Sequence, residues 1–449
     1  MARRKGTTAV AEVAKVIDRT WIEREAEDRG IVQRERKFDL VTFVASLVLG
    51  FRAAGERRLA SLLRSYNLAV SKGKEMAWGA WRPWFTRGIA ALMKDLALRG
   101  LERLNLGSPE FVGTLSKFRD IIAIDSVVIR LNDALQELYP ACRTNHTQAA
   151  AKMHTALSVT GRSDTQVTVT SERVNDRTPF RRIGQWVRGN LLLFDLGYYS
   201  HWLFSRINNQ GGWFVSRLKE NANPFIVGLN RAWRGNSVSL VGERLRDVEQ
   251  RLTREEVDVT VEVEVSRRKY RGRSSHVMEQ FRVVGVRNEA EGCYHWYITN
   301  VPIGILTAVE IAMVYSARWL VELLFRELAT YHRIKDMPTA DPVVVETLIY
   351  ASLTSLVISR RLAVYLTRRI VDRKARIATE RLAAAISETS HLILLYIARP
   401  ASRKGLPATW ITEALWRHAV SPHRNRPDLA MRVDMGTQLS YLQVAQRAA

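Results

Sequence analysis

The chain reads as an α/β protein, a mixed-sheet core interrupted by a β-rich insertion and flanked by helical regions at both ends. Three observations predict this. Two short unbroken apolar runs, Ile121 to Ile124 and Leu191 to Phe194, suit strands buried inside a sheet, and each leads directly into an aspartate, Asp125 and Asp195. The stretch from Val257 to Val265 alternates strictly, as a half-buried antiparallel strand does. Tyr315, Arg318 and Glu322 follow at the i, i+3, i+7 spacing that puts three side chains on one helix face.

Taken in order, Phe38 to Leu106 has a helical period, with Leu40, Phe43, Val44, Leu47 and Val48, then Leu59, Leu62 and Leu63, punctuated by Gly50, Gly73 and Gly88. A bundle of roughly four helices is expected there. Its Trp78, Trp81 and Trp84, with Arg82 and Arg87, suit either a DNA-facing aromatic and basic segment or the filling of a small core. Strands are then expected at Ile121 to Ile124, Ala149 to Val159, Gln166 to Thr170 and Leu191 to Phe194, a helix at His201 to Asn208 and a strand at Trp213 to Leu218. That order is what an RNase H-like core gives. Phe281 to Val284 and Tyr294 to Thr299 join Val257 to Val265 as half-exposed strands of the insertion, Ala308 to Tyr331 reads as one helix, and Val343 to Leu394 as two or more. Arg399 to Gly405 and Ser421 to Pro427 read as basic loops.

Ligands of α/β sheets gather at the carboxyl ends of strands, so an Asp closing a buried strand is placed for a cleft. Each Asp taken singly also suits a turn or a helix cap. Two such strands followed by the Tyr/Arg/Glu helix favour a site in which carboxylates hold divalent metal and arginine meets phosphate.

With these residues the chain resembles the DDE-type transposases of bacterial and archaeal insertion sequences, in the group whose third acidic residue sits in a Tyr-x2-Arg-x3-Glu-x6-Lys helix. The resemblance covers roughly Phe118 to Leu356. It implies that Asp125, in Ile-Asp-Ser, Asp195, in Phe-Asp-Leu-Gly-Tyr, and Glu322 are the catalytic acids, and that Tyr315 and Arg318 complete the signature and meet DNA. Two Mg²⁺ ions per site, with Mn²⁺ able to substitute, are implied about 3.5 to 4 Å apart. One would activate water or a 3′-hydroxyl and one would stabilise the leaving oxygen. The implied reaction is strand cleavage at insertion-sequence ends followed by 3′-hydroxyl transfer into target DNA. Partners are then the terminal inverted repeats, target DNA and a second copy in a synaptic homodimer, without a membrane or a small-molecule substrate.

The sequence departs from the pattern at Ala329, where the family has lysine seven residues after the glutamate. Arg326 or Arg333 is expected to substitute in the phosphate contact, whereas Lys335 reaches the same place only if the helix ends or bends. Ala329 also accommodates a second reading, a catalytically inactive DNA-binding protein of transposase descent. Lys152, in a Lys-x-His with His154, is expected near the DNA backbone or in a structural role, and Trp296 to stack on an extruded base or to pack in the insertion. The expected division is 1–115 for a helical DNA-binding region, 116–219 and 303–340 for the core, 220–302 for the insertion and 341–449 for a basic helical region serving DNA binding or dimerisation.

Charge fits a polyanion partner. The chain of 449 residues carries 68 Lys and Arg against 45 Asp and Glu, a net +23, which draws phosphate-rich polymers but does not by itself choose DNA over RNA or a membrane surface. Cys142 and Cys293 are too few for a disulfide framework or a Cys-rich zinc site, and Cys142, His146 and His154 match zinc spacing poorly. The start lacks a secretory apolar stretch, and Val343 to Ser359 contains Glu346 and several hydroxyls, so a core helix and a bacterial cytoplasmic protein are expected.

Overall fold

The computed structural model describes residues 8–31, 38–50, 58–103, 113–142, 147–159, 162–180, 183–231, 239–266, 275–289, 291–335, 337–369, 376–399 and 408–421. Most of both predicted basic loops, from Arg399 and from Ser421 onward, lies outside these residues.

The helices of the N-terminal part are α1 (Ala9–Ala14), α2 (Arg19–Asp28), α3 (Leu40–Ala45), which continues as a π-turn over Ser46–Gly50, α4 (Leu59–Ala69), α5 (Trp78–Trp81) and α6 (Arg87–Glu102). Thr8, Asp18, Asp39 and Thr86 cap α1, α2, α3 and α6 by accepting a backbone N–H of the first turn. The core follows as β1 (Ile121–Arg130), β2 (Ala150–Ser158), β3 (Gln166–Ser171), β4 (Leu191–Phe194), α7 (His201–Asn209) and β5 (Trp213–Arg217). Then come β6 (Phe225–Leu229), α8 (Leu245–Glu249), β7 (Glu256–Ser266), β8 (His276–Asn288) and β9 (Cys293–Thr299). The chain returns through α9 (Ala308–Tyr315), a 3₁₀ turn at Ser316–Arg318 and α10 (Trp319–Thr330), and continues as α11 (Pro342–Thr367), α12 (Thr379–Ala398) and α13 (Ala408–Ala419).

Nine strands form one sheet in the order β3-β2-β1-β4-β5-β9-β8-β7-β6. The first five give the RNase H-like arrangement, β1 antiparallel to β2 but parallel to β4, and β4 parallel to β5. The insertion extends this sheet instead of forming a separate layer. β9 pairs antiparallel with β5, Ser216 opposite Ile298, and β8, β7 and β6 continue outward. The middle of β8 is accordingly buried on both faces, where the sequence suggested half-exposure.

Alternation sorts the strands onto two cores. Ile121, Ala123, Leu191 and Leu193 face one side, joined by the N-terminal helices and by α9 to α13. Ile122, Ile124, Leu192 and Phe194 face the other, covered by α7 and α8. The terminal helical regions therefore share one core, α6 lying along α11 where Gly100 leaves room, since a Cβ there would stand 2.8 Å from Val357 Cγ1. Among the described residues α11 is the one helix long and apolar enough to cross a membrane, but 83% of its most apolar stretch is buried in the protein, as expected of a core helix. Of the three tryptophans, Trp81 is fully buried against Phe43 and Phe85, Trp84 stacks on Phe38, and Trp78 remains exposed at 45%.

Candidate active site

The site begins where β4 stops. The parallel pairing of β1 with β4 ends at Ile124 opposite Phe194, so the next residue on each chain, Asp125 and Asp195, leaves the shared edge together. Sequence reasoning had Asp125 at the end of its strand. In the structure β1 runs on to Arg130 against β2, and Asp125 lies mid-strand opposite Thr155. What frees it is the end of its other neighbour.

The third carboxylate arrives on the helix that crosses these strand ends. Thr307 starts α9 with a capping box closed by Glu310, and the 3₁₀ turn at Ser316–Arg318 divides what the sequence suggested as one helix. Tyr315 anchors this segment by donating its phenol to the carbonyl of Phe194, 3.0 Å away, one residue before Asp195. Arg318 then stands among all three acids. Its Nη1 is 3.4 Å from Asp125 Oδ2 and 4.0 Å from Asp195 Oδ1, and its Nη2 is 2.5 Å from Glu322 Oε1. Three elements distant in sequence thus deliver three carboxylates to one cation.

Burial sets the electrostatics. Asp125 is 16% exposed, and removal from water pushes its carboxyl up to about 6, although the Ser126 N–H and the Arg318 guanidinium pull the other way. Burial also opposes the charge on Arg318, but the Glu322 and Asp195 carboxylates beside it outweigh that and hold the guanidinium charged. The Tyr315 phenol is pushed up to about 12 by burial and stays protonated. With three carboxylates around one guanidinium the cluster keeps excess negative charge in an otherwise basic protein. An all-oxygen donor set with a partly desolvated carboxylate fits a hard divalent cation, and Asp125, Asp195 and Glu322 are the residues able to hold it.

Beneath the cluster lies a group the sequence reading missed. Asp176 Oδ1 accepts from the Ser126 hydroxyl at 3.2 Å and pairs with Lys152 Nζ at 3.1 Å, with His154 Nδ1 at 3.8 Å. Its other oxygen abuts Gly197, where a Cβ would come within 3.2 Å. His154 Nδ1 is also 3.4 Å from the Tyr198 hydroxyl, and burial drives its ring down to about 4, so it is neutral at pH 7. The Asp-Leu-Gly-Tyr segment therefore has physical content. Gly197 admits Asp176, Tyr198 reaches His154, and together they brace the turn that carries Asp195. No local pattern marks Asp176, which lies 50 residues from Ser126 in an irregular segment.

The remaining predicted residues divide. Lys152 is close to the cluster but is 12% exposed and engaged by Asp176 and the Val174 carbonyl. Arg326 is exposed on α10 one turn beyond Glu322. Ala329 lies two turns beyond Glu322, α10 ends at Thr330, Arg333 adopts φ 48°, and Lys335 is exposed past that bend. Trp296 is 3% exposed, its ring pressed on Gly285 and its N–H donated to Glu249 at 2.7 Å, so packing in the insertion is what the structure shows for it and its ring is closed to a base. His146 lies outside the described residues, while Cys142 is engaged with Glu172.

The Transposase DDE domain family matches residues 116–358, more than half of the chain and the span that contains all three acids. The chain belongs to this family. It is 20% identical over 420 residues to the transposase for insertion sequence element IS231F of Bacillus thuringiensis subsp. israelensis, covering 86% of each protein. It is likewise 20% identical over 373 residues to the transposase for insertion sequence element IS1151 of Clostridium perfringens, covering 77% of this chain and 78% of that one. The sequence similarity to these relatives thus extends beyond residues 116–358, the span of the matched domain.

Proposed function

We propose that this transposase cuts DNA strands at the ends of its insertion sequence and joins the freed 3′-hydroxyl to target DNA, with Asp125, Asp195 and Glu322 as the catalytic carboxylates. The observation that carries the reading is the convergence of those three acids on Arg318. Two Mg²⁺ ions, or Mn²⁺, bound by the acids would supply Lewis-acid activation of the attacking and leaving oxygens. The chain's own residues do the rest. Asp125, held by the Ser126 N–H at 2.7 Å, and Asp195, held by the Tyr315 bond to Phe194, keep two fixed oxygen donors side by side. Arg318 offsets part of the acids' charge when no other cation is present. When the acids are otherwise engaged, its guanidinium is free to take a phosphate oxygen of the strand being cut.

In the cut, an oxygen nucleophile attacks the phosphorus, the bond from phosphorus to the 3′-oxygen breaks, and that oxygen leaves with a proton. In the joining step the same 3′-hydroxyl gives up its proton and attacks a phosphorus of the target strand, whose own bond to its 3′-oxygen breaks, and that oxygen leaves with a proton. Arg326 is suited to the DNA backbone by its exposure beside Glu322, with Arg333 beyond it, and Lys152 is suited to holding Asp176 in place. A homodimer on paired terminal repeats in the bacterial nucleoid completes the reading, with the basic terminal helices as further backbone contacts.

Ala329 favours one second reading, a DNA-binding remnant without cleavage. The two separate on a labelled duplex carrying the element's terminal repeat, incubated with Mg²⁺ or Mn²⁺. Nicking at the repeat boundary that vanishes in Glu322→Gln supports the enzyme. Salt-sensitive binding without nicking in the native chain, with nicking gained by Ala329→Lys, supports the remnant.

A further inference from the structure

A second constellation lies away from the acids, at the turn joining β8 to β9. Glu291, Cys293 and His295 alternate in sequence, and Cys293 opens β9 opposite Asn288. Cys293 and His295, two apart on an extended strand, point to the same side of the ribbon. Gly292, at φ 68°, donates its N–H to the Asn288 carbonyl and turns the chain so that Glu291 folds back over them. Glu291 Oε2 is 3.6 Å from Cys293 Sγ and 3.0 Å from His295 Nε2, and all three donor atoms lie within 4.8 Å of one another.

Two of those separations are close to the edges of a zinc coordination polyhedron, and the third, from Cys293 Sγ to His295 Nε2, is within 4.8 Å. Zinc bonds of about 2.3 Å to sulfur and about 2.0 to 2.1 Å to nitrogen and oxygen, set tetrahedrally, place neighbouring ligand atoms about 3.3 to 3.5 Å apart. The two edges that Glu291 makes, at 3.6 and 3.0 Å, lie within a few tenths of an ångström of those values. Cys293 is exposed, as is Glu291, so a cation can enter and a water can fill the fourth position.

We propose that Glu291, Cys293 and His295 form a binding site for a thiophilic divalent cation of the Zn²⁺ class, distinct from the hard-oxygen cluster at Asp125, Asp195 and Glu322. Thiolate and imidazole select Zn²⁺ or Co²⁺ over Mg²⁺. Binding is a ligand exchange without redox change. The Cys293 thiol releases its proton, His295 offers the Nε2 lone pair with its ring proton on Nδ1, and Glu291 Oε2 binds as carboxylate. The cation would clamp the β8–β9 turn, which in this protein is the end of a ribbon continuous with the catalytic sheet. The inference is independent of the catalytic reading.

The test uses the full chain with Cys142→Ser, which leaves Cys293 as the one thiol, stripped of metal. Modification of Cys293 by a thiol-specific reagent is timed with Zn²⁺, with Mg²⁺ and without metal, so that any ion at the acidic cluster goes unread. Zn²⁺ at near-stoichiometric concentration is expected to slow modification strongly and Mg²⁺ to leave it unchanged. His295→Asn and Glu291→Gln, both at exposed or half-exposed positions, should each weaken Zn²⁺ protection by about tenfold or more. Co²⁺ should give a thiolate charge-transfer absorption that Cys293→Ser removes. Modification indifferent to Zn²⁺, or protection that persists in both ligand variants, would overturn the site, and equal protection by Mg²⁺ would overturn the assignment of its class.

Discussion

Replacing Asp125 by Asn should abolish cleavage and at the same time stabilise the metal-free protein. Burial moves this carboxyl from 3.8 to about 6, a shift of about two pKa units, and each unit corresponds to about 1.4 kcal/mol, so keeping Asp125 ionised in the fold costs about 3 kcal/mol. With the side chain 16% exposed, water screens little of that. The sign follows from the direction of the shift. A carboxyl raised on folding contributes stability that is fully present below its unfolded value and is lost as pH rises through its folded value, here between about 4 and about 6. Asparagine keeps an oxygen for the Ser126 N–H but carries no charge to desolvate. Denaturant unfolding in a chelator should place Asp125→Asn above the native chain by up to about 3 kcal/mol at pH 7.5, the gap closing toward pH 4. Divalent metal should then raise the native chain and leave the variant unmoved. A variant equal to or less stable than native at pH 7.5 would refute the argument that this carboxylate is held at a cost to the fold.

Two further outcomes follow from other parts of the molecule. Arg282, buried with Asp258 in a bidentate pair at 2.9 and 2.6 Å, also donates to the carbonyls of Val301 and Leu306 and so fixes the chain just before α9; Arg282→Met should destabilise the fold by about 3 to 5 kcal/mol in denaturant unfolding, and adding Asp258→Leu should recover much of the loss. Arg326→Ala should weaken binding to any duplex about equally and reduce the slope of log affinity against log salt by about one, with little change in stability.

Much of the site was legible because its signals are local. An apolar run closed by Asp marks Asp125 and Asp195, and the helical spacing of Arg318 and Glu322 already brings that pair together. What was not legible depends on pairing at long range. Nothing in Ile121 to Ile124 says that β1 outlasts β4, and so nothing says that Asp125 would be mid-strand. The alternation of Val257 to Val265 reports a strand but not its edge, so the extension of the core sheet through β5 and β9 was hidden, as was β6, whose Phe225 and Leu229 are exposed. Helical periodicity likewise gives a buried stripe without its partner, which is why the terminal helices read as separate regions although they share one core. Trp296 was ambiguous for the same reason, since its neighbour Gly285 comes from another strand.

The most direct measurement compares the rate of strand cleavage at the terminal repeat for Asp125→Asn, Asp195→Asn, Glu322→Gln and the triple variant, with duplex binding checked in each. Residues that work as one site are non-additive, so each single change should fall to the same floor and the triple variant should fall no further. A single variant that binds the repeat and cuts it at the native rate would remove that residue from the site and contradict the account.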